Sequence, residues 1–582
     1  MRRSLYLIQN NYLLLLIFIF TFLSRFLLLD KFPIGITHDE LNYVIAAESL
    51  YWTKNFAPGT APAVFSTDMT NFSVTIAEVP ASILAFFIGP LDTSLFTSRI
   101  IGAILNSSIV LAMYLLVKRL TKNNLIALLT SLVLAINPWS FLMGRTIFET
   151  NFFVAFFLWG SVVLLSQKGL KILRALPFFI LGFFSYTGGQ IAFYLFTGII
   201  LLYHYFTLPR QQIAPYAIFF VTMTIILAGY VYVVLNNQSF ASRGGEIYTP
   251  QAVAQEVDKE RQVAVQNSVN PIFINKITLY LSGFLDKYLN AYSVNNLFLR
   301  GELRAAFSYQ KHGTFYFLDF LFIVIGISFL FSKYRKVWAL VLLIIAATAV
   351  TSGISFVEYS YSQRSGLMFP FITILIGAGL GYILTIFKNK FRLFIGGAIF
   401  ITYGFLFLNL LHLYFYRFPV YASDGWFFQD RILSRYIALT NQEYKNTKVV
   451  VSTFEPKIVF QEYLFFNNIY NGEKISAINQ KMESGDYSFN NVVFTDKCFD
   501  DNFDENTVWI GDGLLKCERF SIKEDNLRIT RFRDVYEIYL IKEDKICQGQ
   551  KLNSYVSPFA FQDFNIEKQS KSEFCQNWIT KL

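Results

Sequence analysis

Residues 13–23 read LLLLIFIFTFL, and shortly after them residues 34–43 read IGITHDELNY. The first stretch belongs to an apolar run of about twenty residues, the length that crosses the hydrocarbon core of a bilayer as a helix. The second sets His38, Asp39 and Glu40 side by side where that helix leaves the membrane. A buried, unpaired carboxylate is costly and an exposed one cheap, so the side and depth of this acidic pair decide its meaning.

The rest of the chain repeats the apolar theme. Of its 582 residues, 54% are hydrophobic and only 15% charged, against about a quarter charged in ordinary soluble domains. This is the composition of a polytopic membrane protein. Windows of about twenty apolar residues predict spans near 7–29, 99–117, 124–142, 150–167, 172–187, 189–207, 213–235, 315–332, 337–353, 367–387 and 392–415. With about eleven spans, the basic clusters Arg2/Arg3, Lys118/Arg119/Lys122, Lys168/Lys171/Arg174, Arg210, Lys333/Arg335/Lys336 and Lys388/Lys390/Arg392 all fall on one side. By the positive-inside rule that side is the cytoplasm. The net charge of +10 is therefore a topology signal and not a nucleic-acid surface. No cleavable signal peptide is expected, because the first apolar run is too long and lacks a small-residue cleavage site.

VTIAEVPASILAFFIG (74–89) is apolar but short, and it carries Glu78 and Pro80. Counting it as a span would put Lys118 to Lys122 outside, so it reads as an interfacial or half-inserted helix. The N-terminus is then cytoplasmic. The outward-facing segments are 30–98, 143–149, 185–189, 236–314, 354–366 and everything after about 417, so the acidic pair lies outside, at the membrane surface.

The composition changes near Asp424. Charged and Asn-rich stretches alternate with the β-like runs KVVVSTF (448–454), NVVFTD (491–496), TVWIGDG (507–513) and RDVYEIYLI (533–541). The expected organisation is a helical membrane domain over 1–423 and a soluble extracytoplasmic α/β or α+β domain over 424–582. All four cysteines, Cys498, Cys517, Cys547 and Cys575, fall in the second. They are compatible with two disulfides, most simply 498–517 and 547–575 among three connectivities, or with four buried thiols. No C-x-x-C pair suggests zinc.

Polar groups beside lipid mark the place to look for chemistry. Sequence-distant stretches bring to the outer level Asp39 and Glu40, Glu78, Arg99, Arg145 with Glu149, then Arg300, Glu302, Arg304, Lys311 and His312, then Glu358 and Arg364. Guanidinium groups grip phosphate in forked geometry, and carboxylates act as general bases. The combination suggests a headgroup-level phosphate and a reaction that removes a proton. Plainer readings compete: the arginines snorkel to headgroups, Arg145 and Glu149 pair with each other, Glu78 is solvated at the interface, and Asp39 and Glu40 cap a helix. A divalent metal on His38, Asp39 and Glu40 is a weaker alternative, since three consecutive side chains do not aim at one point. No cofactor is firmly implied.

THDELNYVIAAESL (37–50) resembles the Asp-Glu first-loop motif of C-type glycosyltransferases, the protein O-mannosyltransferases and lipid A aminoarabinose transferases. GRTIFETNFFVAFFLWG (144–160) is similar to their second acidic loop. NNLFLRGELRAAFSYQKHGTFYF (295–317) resembles the segment before their later spans, YSQRSGLMFPFITILIGAGLGYI (361–383) the Arg-containing outer loop, and YFYRFPVYASDGWFFQD (414–430) the junction with an extracytoplasmic tail. The likeness covers roughly residues 1–430. His38 stands where members often carry an aromatic or small residue, and the spans are fewer than in some members.

The resemblance implies transfer of a sugar from a polyprenyl-phosphate donor to a protein, lipid or glycan acceptor outside the cytoplasm, mostly with inversion. It implies Asp39 as the base, with Glu40 or Glu149 orienting the acceptor and His38, Glu78 and Tyr43 positioning acceptor or sugar. Arg99, Arg304 and Arg364, then Arg145 and Lys311, are the expected lipid-phosphate ligands, and the 236–314 loop the cavity's cover. A transporter or flippase of lipid-linked glycans needs charges within the spans and broken helices at mid-membrane, and a ligase of such glycans uses the same donor chemistry.

Overall fold

A computed structural model describes residues 12–62, 74–186, 188–207, 212–236, 250–354, 361–498, 506–515, 526–530, 537–562 and 564–581. Arg2, Arg3, Arg210, Glu358 and Cys517 lie outside these.

Each predicted span overlaps helical residues, from Tyr12–Phe26 through Asn389–His412, though not each as one membrane-length helix. Six helices among the described residues are long and apolar enough to cross a membrane: Leu95–Thr121, Glu149–Ser166, Ala214–Tyr232, Arg335–Ile354, Met368–Ile386 and Lys390–Tyr421. Others are shorter for visible reasons. The expected span 124–142 breaks at Asn137, whose side chain accepts from Ser140 N at 3.0 Å and starts a new helix at Pro138. The expected span 172–187 shrinks to Leu176–Phe183 behind a 3-10 turn, Gly169–Ala175. Helix Glu78–Ile88 has eleven residues, about 16 Å of rise, half a bilayer.

Helix Met368–Ile386 forms the centre of the bundle. Its residues from Met368 to Gly381 are all buried, and it packs against Asp319–Lys333 and Asn124–Ile136. Small residues permit this: a Cβ on Gly326 would meet Leu375 O at 1.9 Å, and one on Gly379 would meet Phe322 O at 2.2 Å. Backbones that close exclude any larger side chain, as at small-residue crossings in membranes. Two of the basic clusters share one end of the bundle, where Lys336 Nζ donates to Phe206 O at 3.1 Å beside His204 and Lys168.

The C-terminal region carries a seven-stranded sheet. A small parallel pair in the first loop, β1 (Thr60–Pro62) and β2 (Val74–Ile76), precedes it in the chain. The large sheet is built from β3 (Lys448–Ser452), β4 (Ser488–Phe489), β5 (Val492–Thr495), β6 (Thr507–Asp512), β7 (Leu527–Thr530), β8 (Glu537–Lys542) and β9 (Thr580–Lys581), in the order β4-β5-β3-β6-β8-β7-β9. β3 runs parallel to both β5 and β6, and the other pairings are antiparallel. All four β-like runs of the sequence form strands. Cys547 and Cys575 form a disulfide, and Cys498 is also disulfide-bonded.

This domain sits on the first loop. Arg431 Nη1 donates to Ile34 O at 2.6 Å, Asn479 Nδ2 to Ser49 Oγ at 2.8 Å, and Thr93 Oγ1 to Asn468 Oδ1 at 2.9 Å. Gly35 passes so near the junction that a Cβ there would lie 1.9 Å from Trp426 O.

Candidate active site

Thr37 starts the helix His38–Thr53 through a capping box, its side chain accepting from Glu40 N while Glu40 reaches back to Thr37 N. Consecutive helical residues diverge by about 100°, and the H-D-E triplet therefore points three ways. The His38 ring stacks on Phe427 at 3.7 Å. Asp39 is exposed and lines a cavity of about 570 Å³. Glu40 turns inward and is fully buried.

Arg99 meets Glu40 there, with Nε 3.2 Å from Oε1 and Nη2 3.1 Å from Oε2. It also donates from Nη1 to Pro33 O at 2.7 Å and from Nη2 to Gly35 O at 2.5 Å. Ile147 N closes the cluster on Glu40 Oε1 at 3.3 Å. Arg145 is also fully buried. Its five hydrogens go to Tyr414 Oη at 3.0 Å and to the carbonyls of Ser24, Arg25, Leu28 and Phe32 at 3.0–3.1 Å. Ser24 and Arg25 close the first helix, where a cation satisfies orphaned acceptors, and Leu28 and Phe32 belong to the turns that follow it. Arg145, expected at the donor phosphate, thus has no donor left for one, Arg99, expected there too, is bound to Glu40 and two carbonyls, and Glu40, expected beside Asp39 in catalysis, is spent on Arg99. Satisfied burial accounts for all three.

The cavity is walled by Thr37, His38 and Asp39 from the first loop, by 303–307 and Gln310 from the loop before helix Asp319–Lys333, and by Tyr421, Asp424 and Phe427 at the junction. Arg304 lies in this wall and is exposed. Lys311 stands at the rim, its Nζ 4.2 Å from the Tyr421 ring centre. The described part of the 236–314 loop contains helices Pro250–Gln262 and Lys276–Asn290, and its last turns contribute the wall.

Hydrogen bonds tie the quoted stretches into a ring. Glu40 holds Ile147. Thr150 Oγ1, one residue past Glu149, donates to Gln363 O at 3.0 Å. Ser362 N donates to Glu302 Oε1, two residues before Arg304. Phe148 packs on Phe307 at 5.0 Å between ring centres. Glu302 is buried, and burial holds its carboxyl up at about 7 in spite of the Ser362 and Tyr361 amides and Arg304.

Besides Glu40, Arg99 and Arg145, four more predicted residues stand outside the cavity wall. Glu149 opens the helix Glu149–Ser166 beside Phe148. Arg364 is half-buried next to Lys287, its carbonyl held by Thr351 Oγ1 at 2.7 Å. Tyr43 is buried and accepts from Ala77 N at 3.0 Å. Glu78 begins the short helix whose Val79 N reaches Phe184 O. Among the described residues no group of three or more His, Cys, Asp or Glu is arranged to hold a metal ion. The wall residues Gln310, Tyr421, Asp424 and Phe427 were not picked out from the sequence, although the acid in YASDGWFFQD lay in plain view.

The fold and cavity describe a multi-helix membrane protein with a polar pocket shared by the first loop, the loop before helix Asp319–Lys333 and the junction at 421–427. No protein-family model matches the chain, and no curated protein matches it by sequence. Among solved structures it is similar to ArnT from Cupriavidus metallidurans bound to undecaprenyl phosphate, with 11% identity, TM-score 0.43, and coverage of 93% of this chain and 99% of that one. It is also similar to the Archaeoglobus fulgidus oligosaccharyltransferase in the apo form, with 13% identity, TM-score 0.41, and coverage of 78% and 63%. A third is AglB from the same archaeon with an inhibitory peptide and a dolichol-phosphate, with 12% identity, TM-score 0.41, and coverage of 79% and 64%. The chain thus spans less than two thirds of the length of these two archaeal proteins.

Proposed function

We propose that the chain is an integral membrane glycosyltransferase that moves a sugar from a polyprenyl-phosphate donor to an acceptor hydroxyl on the extracytoplasmic side, with inversion. One observation carries the reading: an exposed carboxylate, Asp39, and an exposed guanidinium, Arg304, line the same outer cavity. The sequence resemblance supplies the reaction class.

The chemistry follows from what each group can do. The acceptor oxygen attacks the anomeric carbon from the face opposite the phosphate, the bond from that carbon to the phosphate oxygen breaks, and the hydroxyl proton passes to Asp39. The lipid phosphate leaves with the bonding pair, and its added negative charge is met by Arg304 and by Lys311 at the rim. Cations placed for that charge act more strongly on the transition state than on the ground state. His38, Gln310 and Asp424 offer hydrogen bonds to the sugar or the acceptor. Glu149 and Arg364 belong to the next layer, which holds the cavity's wall in place. The bundle end bearing Lys336 and Lys168 faces the cytoplasm with the N-terminus.

The test incubates purified protein with a panel of polyprenyl-phosphate sugars and follows release of the free lipid phosphate, with mass spectrometry of the glycosylated product. Consumption of one donor by the wild type and not by Asp39→Asn is the expected result. A panel left untouched under conditions that preserve the fold overturns the reading.

A further inference from the structure

The C-terminal domain has a pair of buried acids that the transfer reaction above leaves unused. Glu462, on helix Pro456–Phe466, is fully buried, and the hydrogen-bonding group its carboxyl faces is another acid. It lies against Asp430 of helix Phe428–Glu443, which is also buried and accepts the hydroxyl of Tyr539. The other charged groups acting on the pair, Glu455 and Asp512, are acidic too. Two adjacent buried carboxyls with no cation between them cannot both ionise, so the pair retains a proton. Burial pushes Glu462 well above the carboxylate range, and Asp430 to about 7.

This pair reaches the cavity through one residue. His38 Nε2 lies 3.8 Å from Glu462 Oε1, about 1 Å beyond a hydrogen bond, and the opposite constraint on the ring is its stacking on Phe427. Phe427 adopts φ +52°, a left-handed conformation unfavourable for a residue with a bulky side chain and kept only where its surroundings impose it. Burial lowers His38 to about 4, so its ring is neutral, with one nitrogen donating and the other accepting. A Glu462 proton directed at Nε2 would make that nitrogen the acceptor and leave the ring hydrogen on Nδ1, in a ring that forms part of the cavity wall beside Asp39.

We propose that the Glu462–Asp430 pair is a positioning device for the transfer reaction: it fixes the tautomer and orientation of His38, so that Nδ1–H donates to a hydroxyl of the bound sugar or acceptor next to Asp39. The C-terminal domain then completes the active site and is not an appendage to it. This inference rests on the reading of the cavity as a transferase site, and its test separates the two.

The full-length protein, carrying isotope-labelled ring nitrogens in its four histidines, is examined by NMR in detergent, with His38→Gln assigning the signal. The wild type shows a neutral Nδ1–H imidazole down to about pH 5. Glu462→Gln, whose amide still donates, keeps that tautomer. Glu462→Leu loses it, and Asp430→Asn, which lets Glu462 ionise, raises the pH at which His38 protonates. With any donor the wild type consumes, Glu462→Leu lowers kcat about tenfold, as for other partners that orient a histidine, and Glu462→Gln restores it to near wild type. Identical His38 signals in all variants overturn the inference, as does a Glu462→Gln protein that keeps its melting temperature yet is as impaired as Glu462→Leu. A wild type that consumes no donor sinks the transferase reading, while the His38 signals still decide the positioning.

Discussion

Asp39 and Glu40 are neighbours in sequence and opposites in the molecule. Asp39 faces the cavity together with Arg304. Glu40 lies in a buried layer beneath it, where Arg99 and Arg145 donate to a carboxylate, a phenol and backbone carbonyls. Charge type is the same in both regions, and what separates them is burial. A buried guanidinium bonded to loop carbonyls holds loops together, whereas an exposed one in a concave wall faces a ligand. The sharpest way to break this contrast is Asp39→Asn. Removing a general base costs about 10²–10⁴ in rate, and because Asp39 is exposed the melting temperature should not move. Lipid-phosphate release within tenfold of wild type would take Asp39 out of catalysis.

The buried layer should answer in the other currency, stability. Arg99→Ala strands Glu40 as a buried carboxylate, and breaking such a pair costs about 3–5 kcal/mol. Arg99→Ala protein should therefore accumulate poorly and aggregate early on heating in detergent, with Glu40→Gln milder because its amide keeps part of the network. If Arg99→Ala instead melts like wild type and fails only with the donor, the residue belongs to the cavity and the division drawn above is wrong. Arg304→Ala is its mirror image. It should leave melting unchanged and reduce donor turnover by about 10–10², less than for an enclosed oxyanion donor because Arg304 is open to solvent. An equal loss of thermal stability would count against a ligand role.

How far these two regions were legible in the sequence follows from the same distinction. Helix positions, the strands of the C-terminal domain and the grouping of outer polar segments depend on local pattern, and each shows in residues such as Val449–Val451 or the Leu-rich 13–16. The partner of a buried arginine is set by tertiary contacts across tens of residues, and nothing local in GRTIFET says that Arg145 will cap the helix ending at Phe26. The D-E doublet offered a warning: side chains 100° apart on a helix cannot share one pocket. The His38–Glu462 contact joins residues more than four hundred positions apart, beyond the reach of any spacing rule. The end of the span expected over 124–142 was readable in principle, since Asn-Pro is a stop-and-restart signal.

The subtlest difference between the layers concerns pH, and Glu302 reports it. Its carboxyl ties the Arg304 loop to the turn Tyr361–Arg364 by accepting from Ser362 N. Burial raises it from an ordinary 4.5 to about 7, more than the amides and Arg304 can offset. A carboxyl whose value rises on folding binds its proton more tightly in the native state. Its contribution to stability is therefore complete below about 4.5 and is lost as pH climbs through about 7. The wild-type melting temperature should fall between pH 5 and pH 8, and Glu302→Gln should remove its share of that slope, a shift of about 2 °C. Asp430→Asn should remove a second share, since that carboxyl is also raised to about 7 by burial. A slope of opposite sign that disappears in Glu302→Gln would mean the carboxylate is ionised against Arg304 in the folded protein, and would move Glu302 from the buried layer into the cavity's charge set.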